Sequence, residues 1–389
     1  MSCNVLLALN AGSATLKFRC FLPGSDVALA KGLVDGVGRG RAHLTLTAAD
    51  GSVLVDQPLG ESGHAAALGA VLAQLDTHGW HPVAVVHRIV HGGTRFRQAT
   101  RLDTATIDAL RELSSLAPLH QPVALAAIDA LTTIAPDTPQ IGCFDTAFHT
   151  TQDPLAARFG IARHWHDRGV QRYGFHGLSY ATIAHKLPAL IGPDAAEQRV
   201  VVLHLGSGAS ACALHQRRSV ASSMGFSAAD GLLMSTRPGG LDPEVVLYWQ
   251  EQAGMNVANV RSEIYKRSGL LGVSGISADM RDLQDNDRPE ANEAVELFCY
   301  RAAREVGALA VQAGGLDHIV FTAGIGERST PVRRRIVERL SWLGFQLDAA
   351  ANDSNALRIS TVDSPRGIWV IPTDEEGQMA REAAALIPA

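Results

Sequence analysis

Two glycine hairpins, about half a chain apart, constrain this sequence most strongly. The first runs Leu7-Ala8-Leu9-Asn10-Ala11-Gly12-Ser13-Ala14-Thr15-Leu16-Lys17-Phe18, the second Leu203-His204-Leu205-Gly206-Ser207-Gly208-Ala209-Ser210-Ala211-Cys212-Ala213. Each reads as an apolar strand, a tight turn of glycine and hydroxyl residues, and a second strand. Gly12 and Gly208 fall in register when the segments are aligned. Small residues let a backbone approach a ligand closely, and a turn of exposed N–H groups makes a concavity for anions. Two such turns predict a duplicated fold that holds a nucleotide's phosphates.

The rest of the chain fits that duplication. Its 389 residues exceed one ordinary core and suit two domains. Alternating segments broken by Pro23-Gly24, Gly38-Arg39-Gly40 and Asp50-Gly51 predict a strand meander over 4–55. A helix over His64–Leu75 and a buried strand over Ala84–Val90 follow, then helices over Thr104–Leu113 and Val123–Leu131. A short strand, Ile141–Thr146, carries an acid at its end. The pattern loosens over Thr150–Arg172, and a second meander begins at Arg199. Helices over Ala291–Ala313 and Thr330–Leu343, strands Ile319–Thr322 and Trp369–Pro372, and a helix over Glu376–Leu386 complete it. Strands followed by alternating helices, twice over, indicate an α/β protein with two similar lobes.

Composition narrows the partners. A net charge of −5 argues against a nucleic-acid surface. The five cysteines form no CxxC pair, which suits reduced thiols and a cytoplasmic protein. No apolar run reaches membrane-spanning length and Met1–Phe18 lacks a signal peptide's basic start, so no membrane partner is expected. Only four lysines occur, Lys17, Lys31, Lys186 and Lys266, and one of them closes the first hairpin.

Several segments carry groups suited to phosphate chemistry. Asn10, Ser13, Thr15 and Lys17 offer amide, hydroxyl and positive charge, although a plain surface turn would look the same. Phe321-Thr322-Ala323-Gly324-Ile325-Gly326-Glu327 runs from a strand through glycines into a helix whose N-terminal N–H groups suit a phosphate. Arg88 sits inside an apolar strand, which requires an anion or an internal carboxylate to meet it. His87 and His91 have HxxxH spacing, but on a strand they lie too far apart for a compact zinc pair. Asp145 ends a strand, a common place for a base, a magnesium ligand or a cap. His120 lies between Pro118 and Pro122, His176 between Gly174 and Gly177, and Arg237 in the rigid loop Met234–Pro243. That inventory suits phosphoryl transfer, where catalysis is positioning plus charge neutralisation. No GxSxG elbow, HExxH or Walker A segment occurs.

The ordered motifs NAGSxxLK, HRxVHGG, LAPLH, FDTAFH, RYGFHG, HLGxGAS, SMGF, TRxGxxDP, SGLLGxSGxSxDxR, FTAGIGE and IPTxEE resemble the acetate kinase (acetate/propionate kinase) family. The match runs from Asn10 to about Glu382. The resemblance implies the duplicated, two-lobed actin-like ATPase (ribonuclease H-like) fold, with the active site in the interlobe cleft. Residues 1–149 and the C-terminal helix 376–389 would form the acyl-substrate lobe, and 150–375 the nucleotide lobe and a homodimer interface. The implied activity is reversible, direct in-line transfer from ATP to a short carboxylate with Mg2+, for which Mn2+ can substitute. Arg88, Arg237, His176, His120 and Asp145 would be catalytic. Arg88, Arg237, Val90, Leu119 and Phe175 would bind the acid. Asn10 and Glu375 would hold the metal. Lys17, Ser13, Thr15, His204, Gly206, Ser207, Gly208, Asp279, Arg281, Gly324 and Gly326 would take ATP or ADP.

Some positions depart from the family pattern. Ser207 and Arg328 each replace an Asn, Thr94 a Glu, Gln121 an Asn, Tyr180 a His and Leu178 a Thr. Ala228 stands where a pocket-wall proline is expected, and the lost carbons predict tolerance for propionate beside acetate. Arg328 could either add charge at the nucleotide or point to solvent. A butyrate or other short-chain acid kinase is the nearest alternative. A non-catalytic nucleotide-binding clamp would require an eroded catalytic set, which Arg88, Asp145, His176, Arg237 and Glu375 do not show.

Overall fold

The computed structural model describes residues 2–25 and 27–387; Met1, Asp26, Pro388 and Ala389, which fall within the segments 1–149 and 376–389, lie outside the described residues. The chain divides into two units: Met1–Phe148 with Gly177–Thr182 and Asp374–Ala389, and His149–His176 with Ile183–Thr373.

Unit 1 is built on β1 (Cys3–Ala11), β2 (Thr15–Phe21), β3 (Ala28–Asp35), β4 (Ala42–Ala48), β5 (Val53–Gly60), β6 (Trp80–Ile89), β7 (Thr100–Arg101) and β8 (Gln140–Phe144). They form one sheet in the order β5-β4-β3-β2-β1-β6-β8-β7. The first five strands run antiparallel as a meander, while β1–β6 and β6–β8 pair in parallel. Because strand side chains alternate, the sheet has two distinct faces. Leu7, Leu9, Leu16, Phe18 and Leu44 pack on one face with Leu68, Val71 and Leu75 of the helix His64–Thr77. Leu6, Ala8, Val86, Ile141 and Cys143 pack on the other with Met379, Ala380 and Ala383 of the helix Glu375–Ala383.

Unit 2 contains β9 (Val200–Leu205), β10 (Ala209–His215), β11 (Arg218–Ser222), β12 (His318–Thr322) and β13 (Gly367–Val370), ordered β11-β10-β9-β12-β13. An antiparallel meander joins two parallel strands, as in the β3-β2-β1-β6-β8 stretch of unit 1. The helix Pro289–Gln312 buries Ala291, Ala294, Val295, Phe298, Ala302, Val306 and Leu309, one stripe at helical spacing.

Element ends differ from the expectations in instructive ways. The helix expected over Thr330–Leu343 stops at Arg339 and continues as a 3-10 turn over Ser341–Leu343, with Gly344 in the left-handed region closing it. The last helix likewise tightens into a 3-10 turn over Ala384–Leu386. The last strand ends at Val370, before Pro372, which has no N–H to donate.

Candidate active site

Alternation along three strands gathers the unit 1 candidates. Leu6 and Ala8 bury on the face covered by the helix Glu375–Ala383, and Asn10 continues that row. Its cross-strand partner is Lys17, whose side chain is exposed. On β6 the row Ala84, Val86 leads to Arg88, and on β8 the row Ile141, Cys143 leads to Asp145 just past the strand end. The covering helix begins at Glu375, with Asp374 capping it by accepting from the Gly377 N–H. Arg19, further along the Lys17 row, pairs with Asp374 at 2.7 Å and fixes the helix start to the sheet.

Arg88 is held from two sides. Its Nε and Nη2 donate to Asp145 at 3.0 and 2.7 Å, and its Nη1 lies 3.0 Å from Glu375 Oε2. Asp145 is almost fully buried, while the Arg88 side chain keeps 18% exposure. Burial opposes the guanidinium charge, but Asp145 and Glu375 more than offset it, and the pKa is raised. Glu375 is also raised, first by burial and then by the like charges of Asp145 and Glu376, against the pull of Arg88 and Lys17. The internal carboxylate that a buried arginine requires is therefore present. Three of the five guanidinium N–H groups are used, and two remain.

Magnesium keeps several waters and takes one or two protein carboxylates beside substrate phosphates, so it needs no closed cage. Among the described residues no three His, Cys, Asp or Glu side chains form one. Glu375 fits the open kind of site, since only its Oε2 is engaged by Arg88. His87 and His91 are buried, and burial lowers each to about 4, so both stay neutral.

The first hairpin closes by a Gly12 N–H donated to Thr15 O at 2.8 Å, and His64 Nε2 donates to the Gly12 carbonyl at 2.8 Å. Ser13 is exposed and Thr15 half-buried at the turn. Val90 is half-buried just beyond β6; Leu119 is exposed, and His120 precedes the helix Gln121–Ile134. Gly177, noted only as a neighbour of His176, proves indispensable: its N–H donates to Asp145 O at 2.9 Å, and a Cβ there would lie 2.1 Å from that oxygen.

Unit 2 gathers a second set around the other hairpin. Gly206 N–H closes the turn on Gly208 O at 3.1 Å, and Ser207 O accepts from the Ser235 N–H at 3.1 Å. His176 has φ +56°, a left-handed conformation rare for a side-chain-bearing residue. Its ring stacks on the buried His204 at 4.1 Å, and its Nδ1 lies 2.8 Å from Ser210 Oγ. A Cβ on Gly208 would meet Arg237 Nη2 at 2.7 Å and His176 Nε2 at 3.3 Å, so both side chains lie against the turn. Arg237 Nη1 donates to Ala228 O at 2.5 Å. No carboxylate pairs with Arg237 among the described residues, and burial lowers its pKa. Phe175, next to His176 in the chain, is fully buried.

The third glycine turn departs from its expected form. The helix Ala323–Arg328 follows β12, but Glu327 Oε1 accepts from the Ala323 N–H at 2.9 Å and from the Thr373 N–H at 3.1 Å. One of the N–H groups expected to face a phosphate is thus capped internally. Gly324 is exposed and Gly326 buried; the Gly326 carbonyl accepts from fully buried Arg333 at 2.9 Å. Arg333 also donates to Asn352 and Asn355, and burial lowers it to about 10. Asp279 and Arg281 bind each other at 2.6 Å at the start of the helix Met280–Gln284, which Asp279 caps, with Arg281 85% exposed. Arg328 is exposed and makes no hydrogen bond or ion pair among the described residues, so its side chain faces solvent. Glu327, Asp374, Ser210 and His149 lie within segments the sequence singles out, without being picked as site residues there, and Arg333 lies in the helix expected over Thr330–Leu343.

The repeated strand order and the glycine turn in each unit define the duplicated actin-like ATPase fold. The chain belongs to the acetokinase family, whose model matches residues 5–381. It is 47% identical over 387 residues to an acetate kinase of Rhodopseudomonas palustris, covering 97% of each chain. An acetate kinase of Rhizobium meliloti is 46% identical, with 99% of each chain covered. Among solved structures, a propionate kinase from Francisella tularensis superposes with a TM-score of 0.92 at 31% identity, covering 98% of this chain and 99% of that one. Porphyromonas gingivalis acetate kinase gives 0.89 at 32% identity, covering 99% and 100%.

Proposed function

We propose that this chain transfers the γ-phosphoryl group of ATP to a carboxylate oxygen of acetate, and also of propionate, giving the acyl phosphate reversibly. It is an enzyme, an acetate-kinase-type phosphotransferase with a carboxyl group as acceptor. The observation that carries the residue assignment is the contrast between its two arginines. Arg88 is neutralised by Asp145 and Glu375, whereas Arg237 is desolvated beside the Gly206–Gly208 turn with no acid against it among the described residues. A guanidinium in that state is best satisfied by an anion.

The nucleophile is already a carboxylate at neutral pH, so no general base is required. Its oxygen forms a bond to the γ-phosphorus as the bond to the bridging oxygen of ADP breaks. Negative charge spreads over the three equatorial oxygens. Arg237 and His176 meet that charge, and the two unused N–H groups of Arg88 orient the acid. Asp145 serves by holding Arg88 rather than by taking a proton. His120 supports the transfer, and Val90, Leu119 and Phe175 form the apolar surroundings of the acid's tail. Lys17, Ser13, Thr15, Gly206, Ser207, Gly208, His204, Gly324 and Gly326 contact the phosphates, and Asp279 with Arg281 the nucleoside. Asn10 and Glu375 would hold Mg2+, for which Mn2+ could substitute, and the ion would supply charge neutralisation on the phosphates.

Ala228 supports propionate tolerance, because its side chain is smaller than the family's proline while its carbonyl still anchors Arg237. We further propose a homodimer through unit 2, which exposes Tyr248 and Val257, and a cytoplasmic setting, which the free cysteines suit. No helix among the described residues is long and apolar enough to cross a membrane. The direct test is acid-dependent ATP consumption with a hydroxylamine trap across acetate, propionate and butyrate. Hydroxamate is expected from the first two; none from any acid would refute the function, and a preference for butyrate would refute the substrate.

A further inference from the structure

The motif Phe144–His149 contributes Asp145 to the site, but its histidine has no role in the chemistry described above. His149 is buried, and its Nε2 lies 2.9 Å from the Phe175 carbonyl. A carbonyl can only accept, so Nε2 carries the proton and donates. In the neutral ring Nδ1 is then the acceptor, and Ser219 Oγ lies 2.9 Å from it. Ser219 is itself completely buried, with Thr151 Oγ1 donating to its carbonyl at 2.8 Å. The Cys212 sulfur lies 3.3 Å from Ser219 Oγ, and its thiol, pushed up to about 12 by burial, keeps its proton. A chain of donors thus fixes one tautomer and one orientation of the His149 ring.

That ring lies against a left-handed turn of the backbone. Gly174 has φ +77° and His176 φ +56°, two left-handed residues in a span of three. A Cβ on Gly174 would sit 2.5 Å from His149 Cγ, so the ring packs directly on the glycine's backbone. Between Gly174, which adopts this region freely, and His176, which does not, the Phe175 carbonyl is the group His149 holds. A left-handed residue with a side chain persists only where its surroundings over-determine it. We propose that His149 is a positioning residue for His176: its Nε2–H to Phe175 O locks the left-handed turn that aims the His176 ring at the Gly208 turn and Arg237. This role rests on the assignment of His176 to the phosphoryl transfer.

The test uses amides that mimic one ring nitrogen or the other. The Gln side chain places its N–H near the Nε2 position, and the shorter Asn places its amide near Nδ1. His149→Gln is expected to stay within about threefold of wild-type kcat, whereas His149→Asn loses about 10- to 100-fold, the cost of a misaimed catalytic group, with the nucleotide KM within about twofold. In a His176→Ala background, His149→Asn adds less than about threefold, because a positioning residue has nothing left to position. Ser219→Ala, which frees the tautomer but keeps the ring, gives a smaller loss in the same direction and serves if the Asn variant does not fold. Equal losses for Gln and Asn, wild-type kcat for Asn, or a full multiplicative loss on top of His176→Ala each overturn the proposal. Wild-type kcat for His176→Ala alone overturns the assignment of His176 instead, and this role falls with it.

Discussion

Replacing each arginine in turn by alanine separates their two environments. In Arg88→Ala, Asp145 and Glu375 lose the cation they share, and Asp145 is 2% exposed and Glu375 14%. Leaving a buried charge uncompensated costs about 3–5 kcal/mol. The pH dependence has a definite sign. Glu375 is raised in the folded state, so its contribution to stability is fully present below its unfolded pKa and fades as pH rises through the folded one. Arg88 limits that loss, and removing it enlarges the penalty at high pH. Urea unfolding of Arg88→Ala should therefore show the full destabilisation at pH 8 and clearly less near pH 5. Among the described residues Arg237→Ala breaks no ion pair and removes a hydrogen bond to Ala228 O, so it should cost about 1 kcal/mol at either pH. Both variants should lose turnover. An Arg88→Ala protein as stable as wild type at pH 8, or equally destabilised at both pH values, would refute the picture of a doubly anchored Arg88.

Three other outcomes follow from individual side chains. His87 is held near a pKa of about 4 in the folded protein, against an ordinary value of 6.5, so its stabilisation is present above pH 6.5 and is lost as pH falls. The loss amounts to about 3 kcal/mol by pH 4, and His87→Leu should flatten that part of the stability profile measured by urea midpoints; an unchanged slope would count against it. Ala228→Pro should lower the propionate-to-acetate ratio of kcat/KM by about tenfold, the usual worth of one methylene; an unchanged ratio removes Ala228 from the specificity argument. Glu375→Gln should raise the Mg2+ concentration for half-maximal turnover at least several-fold in a metal titration, and an identical curve would remove Glu375 from the metal.

Much of the framework was legible in sequence because it rests on short-range periodicity. The stripe Ala291, Ala294, Val295, Phe298 announces a helix wherever it packs, and the alternation of Leu7 and Leu9 with Ala8 announces a strand. The ends of elements were less legible, since they depend on what terminal groups find nearby, as at Arg339 or Val370. Site residues divided in the same way. Arg88, Asp145, His176 and Arg237 stand out as polar residues in apolar or glycine-rich settings. Glu327 and Arg333 do not, because each also needs a partner on another element, the Thr373 N–H for one and the Asn352 carbonyl and side chain for the other.

The sequence by itself determined the paired glycine hairpins, the two meanders and the stock of charged groups, all properties of residues within a few positions of one another. Tertiary structure alone decided which charge meets which. It placed Glu375, from the last helix, beside an arginine almost three hundred positions earlier, and it left Arg237 without an acid among the described residues. It also set His149 against Gly174 and Phe175, where a ring nitrogen holds a strained turn. The reason is that charge neutralisation and desolvation depend on distance in space, and no local pattern in a chain encodes that distance.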